Sequence, residues 1–154
     1  MIITRPRFAL PALALLLAVL PPAPVAAAVP CPNAGLATRT VRFVTAKGRF
    51  AYQVEVARTP EQQACGMMFR DSMKPGTGMS FPMVPPRQTG FWMENTILPL
   101  DIIYVSPARR VLNVRRGQPY SRDVLPSAGV TADVIELAAG EADRIGLKPG
   151  DRVQ

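Results

Sequence analysis

Residues 90–105, GFWMENTILPLDIIYV, hold the chain's only Trp and a run of large apolar side chains, yet keep Glu94, Asn95, Thr96 and Asp101 among them. A carboxylate in such a run must find partners, because burying it unpaired costs several kcal/mol. Pro99 holds Leu98 extended, so a strand starts near Leu100. Leu100, Ile102 and Tyr104 then share one face, while Asp101, Ile103 and Val105 share the other. Asp101 is the one polar member of either face, which describes a central strand carrying a buried acid. Two readings follow. In the first, the free N–H groups of the Asn95–Leu98 turn, or Arg70, neutralise Asp101 and tie that turn to its strand. In the second, Arg70, Trp92, Asn95, Thr96 and Asp101 converge on a groove for a small polar or anionic ligand or a partner's loop.

Other chemistry is narrowly bounded. The chain has no His, which removes Ser-His-Asp and Cys-His nucleophile activation and the usual His-containing zinc, iron and copper sites. Residues 76–81, GTGMSF, are a turn and not a phosphate loop, because no Lys-Ser/Thr follows. Paired carboxylates can hydrolyse a glycosidic bond, with Glu55, Glu94, Asp101 and Glu136 as candidates, but no spacing selects a pair. No DxDxDG-type calcium loop is present. Met67, Met68, Met73, Met79, Met83 and Met93 offer thioethers suited to Cu(I), or simply fill a core. No cofactor is expected.

Two cysteines, Cys31 and Cys65, cannot build an iron–sulfur or four-Cys zinc site within one chain. Cys65 falls at the C-terminal end of a short helix, where the dipole disfavours a thiolate. It reads as a buried inert thiol or half of a disulfide with Cys31. Pro30 precedes Cys31, unlike a lipoprotein cleavage box.

Arg5 and Arg7 followed by the apolar run 8–20 and by Ala26-Ala27-Ala28 have the pattern of a secretory signal peptide over residues 1–28. The apolar run is too short to span a bilayer, which takes about 20 residues. The expected location is the periplasm or the exterior, with no transmembrane segment after cleavage. Beyond residue 28 the chain has 16 basic and 11 acidic side chains, a net charge of +5. Such a domain meets anionic lipid, glycan or acidic envelope proteins before nucleic acid.

The elements that must position these residues are short. Residues 29–40 read as a flexible tail, and 41–154 as a single β-rich domain. Strands are expected at 41–45, 49–57, around 79–81, at 90–94, 100–105, 110–116 and 133–137. Thr59, Pro60, Gln62 and Gly66 punctuate a helix over Pro60–Cys65, and AAGEADRIG suggests a second short one. The fold class is therefore α+β, predominantly β: a small antiparallel or mixed β-barrel or sandwich with one or two short helices.

The stretches VEVARTPEQQACGMMFR (54–70), GMSF (78–81), FWMENTILPLDIIYV (91–105), QPYS (118–121) and VIELAAGEADRIGLKPGDRV (134–153) together resemble a bacterial and archaeal family, the domain of unknown function numbered 192. The resemblance implies one compact, β-rich, often exported domain and supplies no catalytic role. It places Glu55, Gly66, Met68, Arg70, Gly78, Met79, Trp92, Asn95, Thr96, Pro99, Asp101, Glu136 and Gly140 on the family pattern, which adds Glu55 and Glu136 to the candidate ligand-binding set. Glu94 departs from the pattern, standing where relatives usually carry Lys. Leu125 stands where relatives often carry Cys, so no bridge to that segment can form here. The expectation is a monomeric cell-envelope binding or accessory module, with a carboxylate-only enzyme or a Met-based Cu(I) binder as alternatives.

Overall fold

Alternating apolar residues interrupted by Pro and Gly leave little room for helix, and the computed structural model, which describes residue 31 and residues 33–154, is built accordingly. The signal peptide expected over residues 1–28 lies outside the described residues. In chain order the elements are β1 (Thr38–Thr45), β2 (Gly48–Val56), α1 (Pro60–Cys65), β3 (Thr77–Arg87), β4 (Gly90–Phe91), β5 (Leu100–Val105), β6 (Val111–Gly117), β7 (Leu125–Pro126), β8 (Thr131–Ala138), α2 (Glu141–Ile145) and β9 (Arg152–Val153).

Seven strands form one curled sheet in the order β6-β5-β8-β3-β2-β1-β9, and β4 pairs with β7 in a small second sheet. All neighbours are antiparallel except β2 and β3, whose parallel pairing is connected through α1. The curl brings the two sheet ends together: Val111 N–H donates to Asp151 O, and Val153 N–H to Arg109 O, each at 2.9 Å. The fold is the predominantly β one expected, a half-barrel of mixed sheet with two short helices.

The two faces of this sheet carry separate cores. Val41, Phe43, Tyr52, Val54, Ile103, Ile135 and Leu137 line the concave face, which Ala142 and Ile145 of α2 plug. Met79, Phe81, Met83, Ile102, Tyr104 and Val134 form the convex core, joined there by Met67 and Met93. Period-two alternation along each strand makes this division.

Local chemistry explains α1. Thr59 Oγ1 accepts from Gln62 N–H at 3.2 Å, and Gln62 Oε1 accepts from Thr59 N–H at 3.1 Å, a reciprocal capping box. Pro60 starts the helix and Gly66, at φ 49°, ends it.

Residues 33–40 are held rather than free, in contrast to the tail read from their composition. Thr38–Thr40 pair with Gln53–Glu55, a polar pairing that shows no hydrophobic alternation in the sequence. A Cys31–Cys65 disulfide, Cα–Cα 5.5 Å, secures the segment. Closing a loop of 34 residues is worth about 4 kcal/mol in the chain-entropy account. Asn33 Nδ2 then donates to Gln62 O at 2.9 Å and Gly66 O at 2.7 Å, satisfying carbonyls at the end of α1.

Other boundaries also differ. The strand expected at 90–94 shrinks to Gly90–Phe91, because Asn95, at φ 54°, turns the chain. Strand β3 runs on through Pro82, Pro85 and Pro86 to Arg87. Two-residue strands such as β7 and β9 show no periodicity to read.

Gly78 sets a packing test. A Cβ there would stand 2.3 Å from Glu136 O and 2.7 Å from Leu137 Cδ2. Gly78→Ala is expected to lower stability by about 3 kcal/mol in urea unfolding, since backbone cannot move aside cheaply. Gly129→Ala, whose Cβ would meet only Leu112 at 3.7 Å, is expected to change it by less than about 1 kcal/mol.

Candidate functional site

On β5 the expected face assignment holds: Leu100, Ile102 and Tyr104 enter the convex core, and Ile103 and Val105 the concave one. Asp101 goes to the concave side and is 1% exposed. Its Oδ1 accepts from Arg116 Nε at 2.6 Å. Its Oδ2 accepts from the N–H groups of Gly140 and Ala142, each at 2.9 Å. The acid is thus buried and neutralised, but not by the two partners that the sequence suggested. Neither Arg70 nor the Asn95–Leu98 turn reaches it, because both lie with the convex core on the other side of the sheet. Arg116 and the start of α2 do the work instead, and the field of Asp101 raises the guanidinium pKa of Arg116 above its ordinary value.

The turn is satisfied within its own neighbourhood. Asn95 O accepts from Phe69 N–H at 2.9 Å, Thr96 N–H donates to Met93 O at 3.0 Å, and Thr96 O accepts from Tyr120 N–H at 3.1 Å. Asn95 Nδ2 stands 3.9 Å from Met68 Sδ. These contacts fasten the turn to the segment after α1.

Arg70 belongs to a different cluster. It donates to Glu55 Oε2 and, at 2.7 Å, to Asn33 O. Glu55, Met79, Glu136 and Ile102 are successive register partners across β2, β3, β8 and β5, so they form one row on the convex face. Glu136 is 4% exposed and its Oε2 has no hydrogen-bond partner among the described residues. Burial pushes its carboxyl pKa up to about 8, only partly opposed by the charge of Arg70. At neutral pH this acid is chiefly protonated. Beside it, Glu55, Arg70, Met67 and Met73 border an open hollow of about 330 Å³.

Trp92 and Thr96 line a third place, a cleft of about 170 Å³. Residues 63–68 make one wall, β4 the other, and Phe81 and Met83 of β3 lie between them. The alternation about β4 places Met93 in the convex core and stacks Phe91 edge-on against Phe81 at 5.0 Å. Trp92 is left 50% exposed. Arg87 stands at the mouth and makes no ion pair among the described residues. Among the described residues no acidic side chain lines the cleft.

The proposed convergence therefore divides three ways. Trp92 and Thr96 share the cleft, Arg70 and Glu55 border the hollow with Glu136 buried beside them, and Asp101 sits across the sheet. Asn95 does not line the cleft; its carbonyl accepts from Phe69 N–H and ties the turn to the segment after α1. Among the methionines, Met67, Met68 and Met83 line the cleft, Met73 joins Met67 at the hollow, and Met79 and Met93 are fully buried. The six do not make one ligand set. Arg87, Gln63 and Arg116 were not singled out by sequence. For Arg116, strand alternation in VLNVRR was the available signal, but its partner lies on another strand.

The family model described as "Uncharacterized ACR", domain of unknown function 192, matches residues 42–154. Among curated proteins none matches significantly. Two crystal structures are similar. A protein of unknown function from Novosphingobium aromaticivorans DSM 12444 is 44% identical, with TM-score 0.77, covering 80% of this chain and 89% of that one. A candidate transcription regulator from Sinorhizobium meliloti 1021 is 36% identical, with TM-score 0.74, covering 77% of this chain and 94% of that one.

Two stability outcomes follow from the acids. Asp101→Ala is expected to cost about 3–5 kcal/mol in denaturant unfolding, because three donors lose their acceptor. For Glu136 the folded state binds the proton more tightly than the unfolded state between pH 4.5 and about 8. Its contribution to stability is complete below pH 4.5 and is lost as the pH rises to about 8. Glu136→Gln should remove that loss, raising stability at pH 8 by roughly 3–5 kcal/mol and changing little at pH 4. Thermal unfolding across this pH range reads the difference directly.

Proposed function

We propose that this chain, which belongs to the domain of unknown function 192 family, is an exported binding or accessory module of the cell envelope. Its ligand is a small polar or anionic compound with an apolar body, or a partner's loop, held in the cleft beside Trp92. One observation carries this reading: a half-exposed Trp92, a floor of Phe81 and Met83, and Arg87, without an ion pair among the described residues, meet in a single concavity that none of the described acids lines. Binding sites commonly combine apolar walls with a few orienting polar groups, and here Arg87 and Thr96 are the orienting groups. The wall at residues 63–68 is braced by the Cys31–Cys65 bridge and by Asn33, so little ordering is required on binding. Export rests on Arg5, Arg7, the apolar run 8–20 and Ala26–Ala28. The net charge of +5 beyond residue 28 favours anionic surroundings of the envelope.

A carboxylate-only hydrolase is the second reading, supported by the row that sets Glu55 and the protonated Glu136 on one sheet face with Met79 between them. Two strand spacings separate them, roughly 10 Å, close to the separation of acid and base in inverting glycosidases. The burial of Glu136 weighs against it, since a substrate would have to reach an inaccessible oxygen.

Trp92, the one tryptophan, makes occupancy directly visible. Titration of the chain from residue 29 onward with aromatic and aliphatic carboxylates and phosphates should shift its fluorescence, and Arg87→Glu should weaken binding roughly tenfold. A panel that leaves Trp92 emission unchanged rules out the cleft. Turnover of envelope glycans that Glu136→Gln abolishes would instead favour the hydrolase.

A further inference from the structure

The geometry points to an extended acidic polypeptide segment as the occupant of the Trp92 cleft, adding as a strand to the open edge of β4. This rests on the reading of that cleft as a binding site. In an antiparallel ladder each residue directs its N–H and C=O to one side, and successive residues alternate. Thr89 O accepts from Ser127 N–H at 2.8 Å, and Met93 N–H donates to Ser121 O at 2.8 Å, so residues 89 and 93 face the β7 side. Phe91, between them, pairs with Leu125 of β7. Gly90 and Trp92 therefore turn their backbone groups the other way, toward the cleft and the residue 63–68 wall. Opposite Gly90 stands Pro126, which has no N–H to offer. An unpaired strand edge is a template for a further strand.

Charge selects the kind of strand. The cleft continues past Arg87 and Gln63 into a second hollow of about 370 Å³, bordered also by Arg58, Pro60, Pro82 and Val84. Neither Arg58 nor Arg87 makes an ion pair among the described residues, and no acidic side chain lines either hollow. Val84 is 84% exposed there. A segment lying along this path meets, in order, apolar surface with open backbone groups at Trp92, then Arg87, then Arg58. Carboxylates beside the two guanidiniums and an apolar anchor over Phe81 and Met83 complement it.

The test uses Trp92 fluorescence on the chain from residue 29 onward, with acidic heptapeptides alternating glutamate with valine, leucine or phenylalanine. Three comparisons accompany them: the same peptides N-methylated at alternate amides, lysine-for-glutamate versions, and phenylacetate as a small anion. Acidic peptides should bind, N-methylation should weaken them roughly tenfold, and lysine versions should not bind. Arg58→Glu should weaken the peptides while leaving phenylacetate unchanged, because Arg58 lies beyond the Trp92 cleft. Equal binding of N-methylated and parent peptides overturns strand addition. Phenylacetate binding without peptide binding overturns the polypeptide occupant and leaves the cleft reading standing. If neither binds, both fall.

Discussion

Asp101 is the constraint on which the rest of the architecture depends. Its two oxygens join three elements distant along the chain: β5 itself, Arg116 of β6 and the first turn of α2. Helix α2 has five residues and is preceded by Gly140 at its N-cap, in the left-handed conformation at φ 94° and with no side chain to cap with. A helix start buried without acceptors is costly. Asp101 supplies the acceptor from another strand, and α2 can then carry Ala142 and Ile145 into the concave core. Arg116, itself partly exposed, adds the opposite charge and also reaches Asp143 at 2.9 Å. Both of its oxygens accept hydrogen bonds from within the fold, and it faces away from the cleft.

The half-barrel gives two chemically similar side chains opposite circumstances. Asp101, on the concave face, is met by a guanidinium and two N–H groups. Glu136, on the convex face, has an oxygen without a partner among the described residues and answers its burial by holding a proton. Proton binding substitutes for the missing donors, since an unpaired carboxylate is far costlier to bury than a neutral carboxyl. Arg70, whose charge opposes this only in part, is already held by Glu55 and Asn33 O.

The convex face also carries the Trp92 cleft. The concave core is plugged by α2 and closed by the approach of β9 to β6, whereas the convex core is covered by α1, the segment after it, the two-stranded sheet, Leu36 and Leu98. Where those covers part, Phe81 and Met83 meet the cleft, and the alternation about β4 turns Trp92 outward. The bridge from Cys31 and the two bonds from Asn33 hold one wall, and β7 holds the other. A cleft between two braced walls holds Trp92 and Arg87 in a fixed arrangement.

Much was legible in the sequence wherever the deciding physics is local. Thr59, Pro60, Gln62 and Gly66 specify α1 through contacts within a few residues, and the apolar alternation of LDIIYV gives both faces of β5 and the burial of Asp101. The identity of the partners of Asp101 was not legible, because Arg116 and the N–H groups of Gly140 and Ala142 arrive only when β6 and α2 pack, 15 to 41 residues away. The choice between a free Cys65 and a bridge to Cys31 stayed open, and the pairing of polar Thr38–Thr40 was hidden, for the same reason. Grouping Asp101 with Arg70, Trp92 and Thr96 failed because nearness along the chain says nothing about which side of a sheet a residue occupies relative to another element. By itself the sequence determined strand periodicity, the helix punctuation, the family pattern and the absence of histidine chemistry. Tertiary structure alone decided which charges meet, which buried oxygens go unpartnered among the described residues and where the cleft opens, because those depend on long-range packing that no local window contains.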